Sequence, residues 1–478
     1  MLFRSTIHAD RDYTKVREYR LKAKGHALVR GISVGTKIAT GRVRVILDTK
    51  DIGRFKPGEV LVTSITDPDW EPIMKIASAI VTDRGGRTSH AAIVSREIGI
   101  PAVVGSQTAT ETLKTGQEVT VDTTGSEGVI YAGTLPFAVK TQDIKKLPKT
   151  KTHVMMNVGM PETAFEQSFL PHRGVGLARE EFIIASHIGI HPLALLNPKK
   201  LSAHDRHAIE QKTRGWKRGT QFYVDNLAYG IARIGAAFSP HPVIVRFSDF
   251  KSNEYRTLLG GEHFEPDEEN PMIGWRGASR YYDPAFAPAF LLEVQAMRKV
   301  REEMGLTNVI PMIPFCRTTE EAEKVLAIMA EGGLVSAWSA KASRKGKANT
   351  PVYMMCEIPS NVVLADAFLD RFDGLSIGSN DLTQLVLGLD RDSGMLAHIG
   401  NEKDEAVKTM IRQVISIAKK RRKYIGICGQ APSDHPDFAA FLVWAGIESM
   451  SVTPDTLVRT IQNVAAEERK HRLPRKSA

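Results

Sequence analysis

Short apolar runs, separated by stretches of helical periodicity, set the pattern of this 478-residue chain. Between about residues 28 and 135 the runs fall at Arg42–Leu47, Val60–Thr63, Ala79–Thr82, Ala102–Val104, Glu118–Asp122 and Gly128–Tyr131. Runs this short, bounded by polar turns, predict buried strands, and the spacing over Glu71–Ala77 and His90–Ile98 predicts helices between them. Residues 136–151 are lysine-rich with Pro148 and predict a solvated linker, and residues 1–27 read as a remnant or linker. From Thr152 to about residue 472, eight further runs end near Val158, Ala178, Arg246, Ile313, Cys356, Ile377, Ile427 and Val452. Helical patterns such as Asp404–Lys420 and Asp434–Trp444 lie between them. Eight strands alternating with helices predict a (β/α)8 TIM-type barrel, with insertions between Ala178 and Val243 and between Ser248 and Asn308. The expected fold class is therefore α/β, a small β/β/α domain followed by the barrel. Ser336–Asn349 reads as a basic surface loop before the strand that ends at Cys356.

Composition changes this picture little. No run approaches the roughly 20 apolar residues of a membrane helix, and the polar start is no signal peptide. Cys316, Cys356 and Cys428 are too few and scattered for a disulfide framework, which points to a reducing cytoplasm. The formal charge of +10 could suggest a nucleic-acid partner, but most of it sits in the ends: residues 1–30 hold eight Lys/Arg against three Asp/Glu. The run Lys419–Lys423 closes a helical pattern, where cations suit the C-terminus. Neither nucleic acid nor membrane is expected as a partner.

The segment Gly85-Gly86-Arg87-Thr88-Ser89-His90 carries the sharpest chemistry. It puts a histidine at the start of a helix behind two glycines, with Thr88 or Ser89 as cap; backbone N–H groups there suit an anion, and imidazole is a nucleophile near neutral pH. A partly buried histidine in an ordinary strand–turn–helix fits the local pattern equally well. Beyond it, Thr66-Asp67-Pro68-Asp69-Trp70-Glu71-Pro72, Gly85 to Val94 and Gly99-Ile100-Pro101-Ala102-Val103-Val104-Gly105 together resemble the phosphohistidine swivelling domain of the phosphoenolpyruvate synthases (pyruvate, water dikinases). The resemblance implies that His90 is the residue phosphorylated. Ser89 stands where these enzymes often have cysteine.

In the barrel region, polar residues follow directly on the apolar runs, where a TIM-type barrel builds its active site. They are Arg179, Arg246, Arg276, Glu357, Ser379, Asn380, Asp381, Arg391 and Cys428, the last followed by Gly429. Each alone also fits a surface arginine, a helix-capping aspartate or a buried cysteine; their repeated placement points to one site. The resemblance implies that Arg179, Arg246 and Arg276 hold pyruvate or phosphoenolpyruvate and that Ser379, Asn380 and Arg391 line the site. By the same resemblance Glu357 and Asp381 bind Mg²⁺, Cys428 transfers a proton, and Thr88 and Gly429 support the two centres. Planar arginine forks suit carboxylate and phosphate, hard Mg²⁺ takes oxygen ligands, and a thiol can protonate an enolate.

The expected activity is phosphoryl transfer between a phosphohistidine and pyruvate, the pyruvate half of a gluconeogenic synthase that converts ATP, pyruvate and water to AMP, phosphoenolpyruvate and phosphate. ATP binding in that family belongs to an ATP-grasp domain; no Gly-rich phosphate loop occurs before Gly31 and no Walker-type Gly-x4-Gly-Lys-Ser/Thr anywhere. A missing ATP-grasp domain or subunit and a homodimer through the barrel are the expected partners. An enzyme I-like phosphotransferase and a non-catalytic phosphoenolpyruvate sensor stand as alternatives.

Overall fold

The computed structural model describes residues 15–67, 70–86, 89–125, 127–343, 348–389 and 400–472. The chain divides into two compact units with the boundary between Leu147 and Pro148.

The first unit is a closed barrel with strand order β2-β6-β5-β4-β3-β7-β8. Its strands are β2 (Ala27–Val34), β3 (Ile38–Val45), β4 (Val60–Thr63), β5 (Ala79–Thr82), β6 (Ala102–Val104), β7 (Glu118–Asp122) and β8 (Glu127–Ala132). β3 to β6 pair in parallel, whereas β7 and β8 are antiparallel to their neighbours. Val60, Leu61, Val62, Ala79, Ile80 and Val81 are wholly buried, so β4 and β5 read as continuous apolar runs. Leu61 and Ile80 pack under the helices, while Val60, Val62, Ala79 and Val81 fill the barrel interior.

Four expectations change here. β2 was not foreseen, because Arg30 and Gly31 interrupt its apolar pattern. β3 begins at Ile38 rather than Arg42, since residues 38–42 pair with β7 before Val43 turns to β4. The helix at Glu71 ends at Met74 and not Ala77, because the Ile76 carbonyl is taken by the Gly58 N–H at 2.9 Å. The expected linker contains a strand: β9 (Phe137–Asp143) pairs antiparallel with β1 (Lys15–Leu21), Lys15 opposite Asp143 and Leu21 opposite Phe137. Of its lysines only Lys140, exposed, lies in the strand, the rest following it, and the ribbon carries a Tyr19–Phe137 ring contact at 6.0 Å.

The second unit is a closed, wholly parallel eight-stranded barrel. It runs β10 (His153–Val158), β11 (Val175–Arg179), β12 (Val243–Arg246), β13 (Val309–Ile313), β14 (Tyr353–Cys356), β15 (Gly374–Ile377), β16 (Tyr424–Ile427) and β17 (Ser449–Val452). β17 closes on β10. Leu177, Ile244, Met312, Met355 and Cys428 pack together inside it, below the strand ends that carry the polar residues. The outer helices follow familiar rules. Glu405–Lys420 is capped by Asp404, whose carboxylate accepts from Ala406 N at 2.8 Å, and buries Val407, Ile411, Val414, Ile415 and Ala418 on one stripe. The helix expected over Asp434–Trp444 runs Pro436–Ala445, with proline in its first turn, because Asp434 ends a short helix of its own, Ala431–Asp434. Ser336–Asn349 is not simply a surface loop. Ala337–Ser343 is helical, Ser336 is buried and its Oγ accepts from Ser339 N at 3.0 Å. That capping pattern was overlooked among the lysines. No helix among the described residues is long and apolar enough to cross a membrane.

Candidate active site

In the first unit the chain leaves β5 through Gly85, whose φ of +117° favours glycine, and enters the helix His90–Ile98. His90 is its first residue, half-buried, with Nδ1 3.0 Å from Thr66 Oγ1. Ser89 occupies the N-cap position, but its side chain makes no capping bond, and its buried Oγ has no hydrogen-bond partner among the described residues. The expected serine cap is therefore not formed. Thr88 lies outside the described residues.

In the second unit, the ends of β11 to β16 gather the predicted residues around one acidic–basic network. Arg276 is buried and spends its fork on Asp249: Nε to Oδ1 at 3.0 Å and Nη2 to Oδ2 at 2.5 Å. Its Nη1 reaches Met272 O at 3.0 Å and Asp381 Oδ1 at 3.5 Å, and its guanidinium lies 4.1 Å from the centre of the Phe315 ring. Arg246 Nη2 reaches Glu181 Oε1 at 2.6 Å and its Nη1 lies 3.3 Å from Asp249 Oδ2. Arg179 is half-buried over the Phe182 ring. Asp249 thus ties Arg246, at the end of β12, to Arg276, and neighbouring positive charge holds its carboxyl below the usual range despite burial. Replacing Asp249 with alanine leaves both guanidiniums without it. Denaturant unfolding is expected to show a loss of about 3–5 kcal/mol.

Glu357, the first residue after β14, is 1% exposed. Its Oε1 accepts from Phe315 N at 2.7 Å, while Oε2 is buried with no hydrogen-bond partner among the described residues. Burial first, then the negative charges of Asp381 and Asp249, pushes its carboxyl up to about 8. A buried oxygen without a donor, beside a second carboxylate, fits a cation. Among the described residues no cluster of three or more His, Cys, Asp or Glu could hold a metal alone. Glu357 and Asp381 can therefore supply only part of a coordination shell, as suits an ion that shares its ligands with substrate and water.

Asn380 and Asp381 lie in the first turn of the helix Ser379–Leu387, directly after β15. Cys428 caps β16 inside the barrel; its thiol donates weakly to Ile377 O at 3.6 Å, and burial pushes it up to about 11. The charges of Arg246, Glu357 and Arg179 all act on it, so the thiol belongs to the same centre. Gly429 is needed for space. A Cβ there would lie 1.6 Å from Ser379 Oγ and 2.9 Å from Glu402 Oε1, which are hydrogen-bonded to each other. Gly429→Ala should cost about 1–3 kcal/mol in thermal unfolding and break the Ser379–Glu402 contact. Arg391 lies outside the described residues.

Sequence reasoning missed Asp249, Glu181 and Glu402. Asp249 follows β12 within three residues of Arg246, the same placement that singled out the others, and that signal could have found it. Glu181 and Glu402 act only through spatial neighbours.

Residues 137–469 match the family described as PEP-utilising enzyme, PEP-binding domain, and residues 55–126 match PEP-utilising enzyme, mobile domain. The chain belongs to the PEP-utilising enzymes. Among members of that family, the chain is 54% identical to a phosphoenolpyruvate synthase of Synechocystis over 97% of this chain and 56% of that protein. It is 51% identical to the phosphoenolpyruvate synthase of Aquifex aeolicus over 97% and 59% of the two chains, and 52% identical to that of Escherichia coli over 94% and 55%. The chain thus spans about half the length of these PEP-utilising relatives. A solved HpcH/HpaI aldolase from Desulfitobacterium hafniense aligns with 69% of this chain and 96% of its own at a TM-score of 0.32 and 12% identity, too remote to bear on function.

Proposed function

We propose that this chain transfers a phosphoryl group between His90 and pyruvate, making or consuming phosphoenolpyruvate. The observation that carries the reading is the orphaned Glu357 Oε2 beside Asp381, within a centre that also holds Arg246, Arg276 and the Cys428 thiol. In this reading Arg179 and Arg246 receive the carboxylate and phosphate, and Arg276, fixed by Asp249, orients Asp381. Ser379, Asn380 and Arg391 line the site. Glu357 and Asp381 would hold Mg²⁺, which when bound supplies neutralisation of the developing enolate charge. Thr66 engages His90 Nδ1, which supports Nε2 as the nucleophile. Nε2 bonds to phosphorus as the P–O bond to the enol oxygen breaks, and the Cys428 Sγ–H delivers its proton to the methylene carbon. The reverse sequence makes phosphoenolpyruvate from pyruvate.

The reading assigns the charging of His90 from ATP to an ATP-grasp domain or subunit, in keeping with relatives about twice as long. It also includes a homodimer through the barrel unit, which sedimentation equilibrium tests. Three free cysteines suit a reducing cytoplasm. The function itself is tested by incubating the chain with Mg²⁺, phosphoenolpyruvate and labelled pyruvate. Label is expected to pass into phosphoenolpyruvate without ATP. No exchange, with binding of phosphoenolpyruvate intact, would overturn the catalytic reading.

A further inference from the structure

Behind the arginine-bearing strand ends lies a group of buried acids that the transfer chemistry does not use. Glu180 follows Arg179 directly and is wholly buried, and among the described residues neither of its carboxyl oxygens accepts a hydrogen bond from an N–H or hydroxyl donor. The group it faces is the carboxyl of Glu293, on the helix Ala287–Arg298, close enough to share a hydrogen bond. Glu293 is also wholly buried, but its two oxygens are engaged: Oε1 accepts from Ser248 Oγ at 2.6 Å and Oε2 from Ser248 N at 3.1 Å. Ser248 precedes Asp249, the residue that ties Arg246 to Arg276. Glu181, next to Glu180, takes the Asp249 N–H at 2.6 Å as well as Arg246.

Two ionised carboxylates cannot hydrogen-bond, because both only accept. One proton between them resolves the contact. It belongs on Glu180, which has no donor to stabilise its charge, and not on Glu293, which has two. We infer that Glu180 and Glu293 share one proton, donated by Glu180 to Glu293, and that this pair positions the Ser248–Asp249 loop and with it the two arginines of the site. The groups facing the pair from the surrounding elements are Glu181, the hydroxyls of Tyr223, Tyr255 and Tyr281, and Ser248; Tyr223 Oη makes no hydrogen bond itself. None carries a positive charge that could replace the proton. Burial accordingly pushes both carboxyls above their ordinary 4.5. The folded chain then holds a proton that the unfolded chain loses above about 4.5. The stability it contributes is full below that pH and falls as pH rises through the folded values.

The inference makes opposite predictions for two isosteric changes. Glu180→Gln keeps a donor toward Glu293 and should leave folding and exchange near wild type, while removing part of the alkaline loss of stability. Glu293→Gln turns an NH₂ toward a Ser248 donor and should lower pyruvate–phosphoenolpyruvate exchange by about 100-fold through displacement of the arginine loop. The exchange readout rests on the proposed function. Difference infrared spectroscopy does not: at neutral pH the spectrum of the chain minus that of Glu180→Gln should show a protonated-carboxyl band, apart from the Glu357 carboxyl that both retain. Denaturant unfolding adds Glu180→Leu, which fills the space without a donor and should be less stable than Glu180→Gln. A missing band, a band unchanged in Glu180→Gln, or a Glu180→Gln variant no more stable than Glu180→Leu would overturn the inference.

Discussion

Replacing His90 with alanine is expected to abolish phosphoryl transfer from phosphoenolpyruvate to the chain. The residue stands at the first position of its helix, held through Nδ1 by Thr66, and no other histidine in the first unit shares that placement among the described residues. Removing a covalent nucleophile leaves no route to the intermediate, so the loss should fall on the order of 10⁴–10⁶-fold. With radiolabelled phosphoenolpyruvate and Mg²⁺, the wild-type chain should acquire an acid-labile, base-stable label, and His90→Ala should acquire none. Thr66→Val offers a graded control. It removes the partner of Nδ1 but keeps the nucleophile, so labelling should slow without vanishing. Undiminished label in His90→Ala would sink the assignment of the carrier residue.

Replacing Cys428 with alanine should strike a different step. The thiol is buried with barrel-core residues and lies in the field of Arg246, Glu357 and Arg179. Its loss removes the proton donor without removing a ligand, so release of pyruvate should fall by about 10²–10⁴-fold while substrate binding holds. Labelling of His90 should persist, with the enolate retained until water protonates it. The pH dependence follows from burial, which pushes the thiol up to about 11. A raised value keeps the acid form through neutral and mildly alkaline pH, so the step should decline only as pH nears about 11. An exposed cysteine would lose its proton near about 8.5. Rapid-quench measurement of pyruvate across that range separates the two. Normal turnover in Cys428→Ala would mean the proton comes from another group.

Legibility in the sequence followed burial. β4, β5 and β6 lie at the expected residues because each is a run of buried side chains between polar turns, and β7 because its central Val119, Thr120 and Val121 are buried. The barrel strand ends match for the same reason, with β11 extending one residue further to Arg179. β1 and β9 escaped because a two-stranded ribbon admits arginine and lysine, which blur a period of two, and β2 because Arg30 and Gly31 interrupt its apolar pattern. In the site, residues that directly follow a strand were visible: Glu357 after Cys356, Cys428 after Ile427. What stayed hidden were the partners that fix them. Glu293 lies 45 residues from the Ser248 it holds, and Glu402 reaches Ser379 across 23, and neither shares a motif with its target. Spacing reports which side chains reach a site, whereas the polar contacts that set their orientation depend on a topology that periodicity does not encode.

The β1–β9 ribbon has a bearing on how the first unit could be handled as a piece of protein. Because Lys15 lies opposite Asp143, the chain enters and leaves the small barrel side by side. A segment whose ends already meet loses little loop entropy when those ends are joined elsewhere. Residues 15–143 therefore form a cassette: they can be excised, joined end to end through a short bridge and reopened at another surface turn while the seven-stranded pairing order is kept.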